Sequence, residues 1–140
     1  MQFEVFINFD GNCREALEFY SGVFKTEIQN LMTYAEVPPD DTGYILQESD
    51  MDKVMYAGLQ FGNMVAMFMD MPSGMPLVKG NNITPTVSME DKAEVERIFN
   101  ELSVGGTVNE NLGKTFYSEL YGGVTDKFGI KWQLLHYVKC

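Results

Sequence analysis

Histidine occurs once in this 140-residue chain, cysteine twice, and basic residues are half as numerous as acidic ones. Ten Lys and Arg against twenty Asp and Glu give a net charge of −10. A phosphate backbone requires a basic face, so nucleic acid is excluded as a partner. The acidity reads instead as a solvated surface that keeps a cytoplasmic protein soluble. The opening residues Met1 to Asn8 carry no basic n-region and no long apolar stretch, so neither a signal peptide nor a membrane anchor is expected. Cys13 and Cys140 stand at opposite ends with no motif around them. They read as reduced cytosolic thiols, although chain ends often lie close together and a disulfide between them stays open.

The length is that of one domain, and enough of the sequence is apolar to bury a core. Phe3 to Phe9 is short, β-branched and aromatic, and predicts a strand. After the Asp10-Gly11 turn, Asn12 is placed as an N-cap with Glu15 three residues on. Ala16, Leu17, Phe19, Tyr20, Val23 and Phe24 then recur at helical spacing, which predicts a helix over 13–24. A strand over 27–37, a polar loop to about Asp52, and strands over 54–61 and 64–69 follow, the last two joined by a tight Gly62-Asn63 turn. Pro72, Gly74 and Pro76 mark the best internal boundary.

The pattern then starts again. Ile83 to Ser88 is a strand that Pro85 confines to an edge. Ser88 is expected to cap a second helix, with Val95, Ile98, Phe99 and Leu102 as its apolar stripe and Gly105-Gly106 as its end. Strand pieces over 107–109, 114–121 and 130–138 complete the second half. Two copies of strand, helix and three strands predict a duplicated βαβββ arrangement of α+β class, with modules of about 1–75 and 76–140 in a single domain. The run Tyr121 to Tyr137 contains an Asp-x-x-Gly turn, Asp126 to Gly129, in which the carboxylate accepts backbone N–H bonds.

The segment Asn8-Phe9-Asp10-Gly11-Asn12 with Glu15, Ala16, Phe19 and Tyr20 resembles the opening of the PhnB-like branch of the vicinal oxygen chelate superfamily. That superfamily includes glyoxalase I, bleomycin and fosfomycin resistance proteins and extradiol dioxygenases. Val54 to Leu59, Met67 to Asp70 and Gly122 to Trp132 resemble the same branch, so the likeness spans the whole chain. It implies two βαβββ modules with curved mixed sheets around a shared cavity, in a homodimer. Branch members are often described as 3-demethylubiquinone methyltransferase-like. A methyltransferase needs a nucleotide-like cofactor site, commonly a Gly-rich strand-to-helix turn, and no such turn is present.

Metal-using relatives hold a divalent ion through His, Gln and Glu side chains on four strands, two from each module. The resemblance places Gln133 where such relatives carry the final Glu, and about Val5, Thr84-Pro85-Thr86 and Met67 to Asp70 at the other positions. That set lacks three good ligands, so neither metal nor cofactor is expected. Tyr56 stands where relatives often carry a His. As a phenol it hydrogen-bonds a ligand better than it acts as a base, since its ordinary pKa is near 10; packing is its other role. Strand alternation puts Gln133, Leu135 and Tyr137 on one face and Trp132, Leu134 and His136 on the other, so His136 points away from the cavity. Cys13, at a helix N-terminus, is either activated there or simply packed. Asp10, Asp70 and Asp126 read as turn or cap acceptors. The methionines around the hairpin and linker suit a core or an adaptable apolar surface.

These readings point to a metal-free protein that binds a small organic ligand, with Tyr56, Met67, Met69, Gln133 and Leu135 as the ligand-binding candidates. The alternatives are a vicinal oxygen chelate lyase, isomerase or dioxygenase with atypical ligands, and a dimeric structural protein with a filled cavity.

Overall fold

The computed structural model describes residues 1–139, and the chain divides into two compact units, Met1–Val78 and Lys79–Cys140. The first contains β1 (Val5–Phe9), α1 (Cys13–Phe24), β2 (Ile28–Thr33), β3 (Val54–Phe61) and β4 (Met64–Asp70). Its sheet has the order β1-β4-β3-β2, with β1 parallel to β4 and the other pairs antiparallel. The second contains β5 (Thr86–Met89), α2 (Lys92–Ser103), β6 (Thr107–Gly113), β7 (Tyr121–Thr125) and β8 (Lys131–His136). Its order is β5-β8-β7-β6, again with only the β5–β8 pair parallel. The duplication predicted from the sequence is therefore a duplication of topology as well as of element order.

In the first unit α1 buries Cys13, Ala16, Leu17, Tyr20 and Val23, the i, i+3, i+4, i+7 stripe of an amphipathic helix. Tyr20 and Phe9 both pack on Phe68 of β4, at ring-centroid distances of 5.8 and 6.1 Å. Each such fully buried side chain contributes about 2 kcal/mol by removing apolar area from water. The helix start departs from expectation, because Asn12 makes no side-chain capping bond. Asp70, at the far end of β4, caps instead: its Oδ1 accepts from Gly11 N at 2.9 Å and Cys13 N at 3.0 Å. Its Oδ2 accepts from Val54 N at 2.9 Å, and its backbone carbonyl accepts from the Tyr34 hydroxyl at 2.7 Å. A buried carboxylate with three N–H donors satisfies the helix end better than an exposed Asn amide.

The strand expected over 27–37 stops at Thr33, where three short 3₁₀ turns begin, at Tyr34–Glu36, Pro39–Asp41 and Glu48–Asp50. Asp50 holds this segment and is fully buried. It accepts from Gln47 N and Lys53 Nζ at 2.9 Å, and from Ser73 N and Oγ at 2.9 and 2.8 Å. These bonds, the Gln47 N–H foremost, hold its carboxyl well below the usual carboxylate range against the opposing effect of burial. A depressed folded-state pKa stabilises the fold fully above the unfolded value, near 3.9. That contribution is lost as pH falls through the folded value. Asp50→Asn is expected to lose about 2 kcal/mol at pH 7. Urea titrations should show this deficit shrinking steadily below pH 4; a constant deficit would contradict the assignment.

In the second unit the cap of α2 is Asp91, whose Oδ1 accepts from Ala93 N at 2.9 Å; Ser88, expected in that role, lies within β5. Val95, Ile98, Phe99 and Leu102 are buried, as their spacing predicts. Gly122 of β7 lies under this helix, and a Cβ there would stand 2.7 Å from Phe99 Cε2. The strand expected over 114–121 is a loop to residue 120, closed by Thr115 N to Ser118 O at 2.8 Å and Ser118 N to Thr115 Oγ1 at 3.1 Å. The Asp-x-x-Gly turn forms as read. Asp126 Oδ1 accepts from Phe128 N and Ile130 N at 2.9 and 3.0 Å, and Oδ2 accepts from Trp132 Nε1 at 2.9 Å.

Candidate functional site

Each sheet has one face under its helix and one open face, and the register decides which residues share each. In the first unit Phe68, paired with Ala57 and Ile7, lies on the helix side. Strand alternation then puts Phe6, Asn8, Tyr56, Gly58, Met67 and Met69 on the open face. Three of the candidates, Tyr56, Met67 and Met69, are thus brought together, and the Tyr56 ring meets Phe6 edge-on at 6.4 Å. Val5 belongs to the helix side with Ile7 and Phe9, so the first-strand position expected to face a ligand is Phe6 or Asn8.

In the second unit Trp132, Leu134 and His136 are buried on the α2 side. Gln133 and Leu135, the remaining candidates, share the open face with Thr86, Ser88, Tyr121 and Gly123. His136 therefore faces away from the candidates. It lines a separate open cleft of about 420 Å³ with the 114–119 loop, Tyr137 and Val138.

The two ladders match rung by rung. Phe6–Met67–Gly58 across β1, β4 and β3 corresponds to Thr86–Gln133–Gly123 across β5, β8 and β7. The next rung holds Asn8 and Met69 in the first unit, with Tyr56 one step beyond the Ala57–Phe68 pair, and Ser88, Leu135 and Tyr121 in the second. Met67 and Gln133 are therefore equivalent, as are Met69 and Leu135, and Tyr56 has a counterpart in Tyr121. Sequence reasoning missed Tyr121 and the open-face glycines. Their signal was the recurring Tyr-x-Gly at 56–58 and 121–123, which becomes legible only with the register.

The divalent ion of metal-using relatives needs anionic or imidazole donors on β1, β4, β5 and β8. The open-face rung there supplies a phenyl ring, a thioether, a hydroxyl and a neutral amide, which do not fit a hard divalent ion. Asp70, at the end of β4, lies on the helix side opposite Phe9 and is occupied by its three N–H donors. Among the described residues no three His, Cys, Asp or Glu side chains form a metal-binding group. The start of α1, where an anionic cofactor group could dock, is likewise filled by the Asp70 carboxylate. Cys13 has a free thiol, fully buried, whose pKa is pushed up by burial and then by Asp70, so position at a helix start does not activate it. Cys140 lies outside the described residues.

The family described as 3-demethylubiquinone-9 3-methyltransferase matches residues 1–135. Protein YjdN of Escherichia coli (strain K12) is 25% identical over 147 residues, covering 96% of this chain and 94% of its own. Protein PA1353 from Pseudomonas aeruginosa has a similar crystal structure, with a TM-score of 0.87 at 29% identity over 97% of each chain. A PhnB protein from Bacillus cereus, named as a putative 3-demethylubiquinone-9 3-methyltransferase, superposes with a TM-score of 0.79 at 24% identity, over 98% of this chain and 100% of its own. A glyoxalase-related enzyme from Fulvimarina pelagi shares the fold alone, with a TM-score of 0.63 at 14% identity over 98% of this chain and 89% of that one. With its paired βαβββ ladders and a family match over residues 1–135, the chain belongs to the 3-demethylubiquinone-9 3-methyltransferase family and has a glyoxalase-like fold.

Proposed function

We propose that this protein binds a small organic molecule on the open faces of its sheets without a metal ion, as a homodimer in the cytoplasm. One observation carries the reading: the ladder positions that would supply metal ligands hold Phe6, Met67, Thr86 and Gln133. Met67, Met69, Tyr56 and Phe6 offer a polarisable apolar surface with a phenol at its edge, the chemistry of an adaptable ligand site. No helix among the described residues is long and apolar enough to cross a membrane. Methyl transfer is not part of the proposal, because the α1 start is occupied and α2 is capped by Asp91.

A metal-using lyase, isomerase or dioxygenase is the second reading, favoured by the amide of Gln133 at the position of the relatives' final Glu. Native mass spectrometry of freshly purified, chelator-free protein separates the two. The expected spectrum is a dimer with an organic adduct or none, and elemental analysis should find no stoichiometric Zn, Mn, Ni or Fe. A tightly bound equivalent of any of these would overturn the proposal.

A further inference from the structure

The cleft at the end of β8 lies within the second unit and borders the chain's single histidine, which is 8% exposed. The backbone of His136 is fully engaged. Its N–H donates to Leu120 O at 2.8 Å, and its carbonyl accepts from Ser118 Oγ at 2.7 Å. Its imidazole has no hydrogen-bond or ion-pair partner among the described residues. A buried polar side chain ordinarily has one. Here it faces about 420 Å³ of open space, within the range of small-molecule sites, about 300–1,000 Å³.

The 114–119 loop forms the other wall and is already fixed. Thr115 N donates to Ser118 O at 2.8 Å, and the Ser118 hydroxyl ties the loop to the end of β8. This loop presents Phe116, wholly exposed, edge-on to Tyr117 at 4.9 Å, and Tyr117 in turn meets Tyr121 at 5.8 Å. A fully exposed phenyl ring on a pinned loop is apolar area that a flat ligand can remove from water. Charge is the second element. Among the described residues lining the cleft, Glu119 is the one acid, and it is ion-paired with Lys92. Its carboxyl is lowered first by Lys92, with Lys114 and His136 adding to the effect. Lys114 has no ion-pair partner among the described residues. The cleft therefore holds an uncompensated ammonium in a chain of net charge −10.

We propose that this cleft is a second binding site, for a small planar aromatic carboxylate. The carboxylate accepts an N–H from His136 and is neutralised by Lys114, while its ring lies against Phe116. A hydrogen bond to an ionised acceptor is about twice as strong as one to a neutral acceptor, which selects the acid over its amide. The inference stands apart from the open-face reading, because Gln133 and Leu135 project from the other face of β8.

The test uses the full chain and benzoate, benzamide and acetate as probes. With one histidine in the sequence, the imidazole Hε1 resonance reports on His136 alone. Benzoate is expected to shift it saturably. Benzamide, which lacks the charge, and acetate, which lacks the ring, should bind at least about tenfold more weakly. Lys114 and Phe116 are exposed, so their variants should fold normally. Lys114→Gln should weaken benzoate about tenfold and Lys114→Arg restore it, a rescue that follows the charge; Phe116→Ala should weaken it as well. His136→Phe, checked for a cooperative melt, should lose benzoate binding by calorimetry. An unmoved Hε1 resonance, benzamide or acetate binding as tightly as benzoate, or undiminished binding in Lys114→Gln or Phe116→Ala would each overturn the inference. None of these results touches the open-face proposal, which the mass spectrum and elemental analysis decide.

Discussion

Asp70→Ala is expected to lower unfolding free energy by about 4 kcal/mol, the loss of charge-assisted bonds plus buried donors left without partners. Gly11 N, Cys13 N and Val54 N all donate to this one carboxylate, which is 1% exposed. Asp70→Asn should cost about half as much. Its amide oxygen keeps Gly11 N and Cys13 N, while its NH₂ is turned against Val54 N–H. Chemical denaturation of the two variants measures both values, and the ordering matters as much as the size. A deficit under about 1 kcal/mol in Asp70→Ala would mean that water or Asn12 takes over the cap.

Gly106→Ala should be comparably severe for a different reason. A Cβ at Gly106 would stand 2.2 Å from Thr125 O and 3.0 Å from both the carbonyl carbon and Cα of Asp126. Those atoms are backbone, and Thr125 is fixed between Thr107 on one side and Lys131 on the other. No side-chain rotation relieves the contact, so β6 must separate from β7, at a cost of about 3 kcal/mol or more. Gly105→Ala is the control. Its φ of +73° is strained for alanine, but its nearest neighbour is a Lys127 side-chain carbon at 3.4 Å. The left-handed conformation alone costs about 1 kcal/mol. Thermal melts showing equal losses for the two glycines would refute the close-approach argument.

The elements legible in the sequence were those whose causes are local. The α1 stripe fixes Cys13–Phe24, and Gly62-Asn63 joins Phe61 to Met64 with Gly62 at a φ of +58°. The α1 cap was misread because it is not chosen by proximity to the helix pattern, whereas Asp91, the residue next to α2, caps that helix in place of Ser88. Asn12 has the right chemistry, but Asp70 reaches the same N–H groups from inside the core. Phe116 and Tyr117 look like strand residues, yet the Thr115–Ser118 turn claims the backbone around them. The candidate residues were read from strand alternation and resemblance. That Met67 and Gln133 are one position in two copies, that Val5 faces the helix, and that Tyr121 and Gly123 complete the second face all depend on register, which no single strand encodes.

The two helices also differ in when they can be finished. Helix α2 contains its own cap, two residues from the N–H it satisfies. Helix α1 borrows its cap from a residue 57 positions away, so its first turn stays open until β4 has been laid down beside β1. Closing a loop of that length costs chain entropy before any bond is gained. The second unit can thus nucleate from a self-sufficient helix, while the first must assemble helix, hairpin and parallel pair together. The borrowed cap makes an early, isolated α1 unrewarding and ties its formation to completion of the sheet it covers.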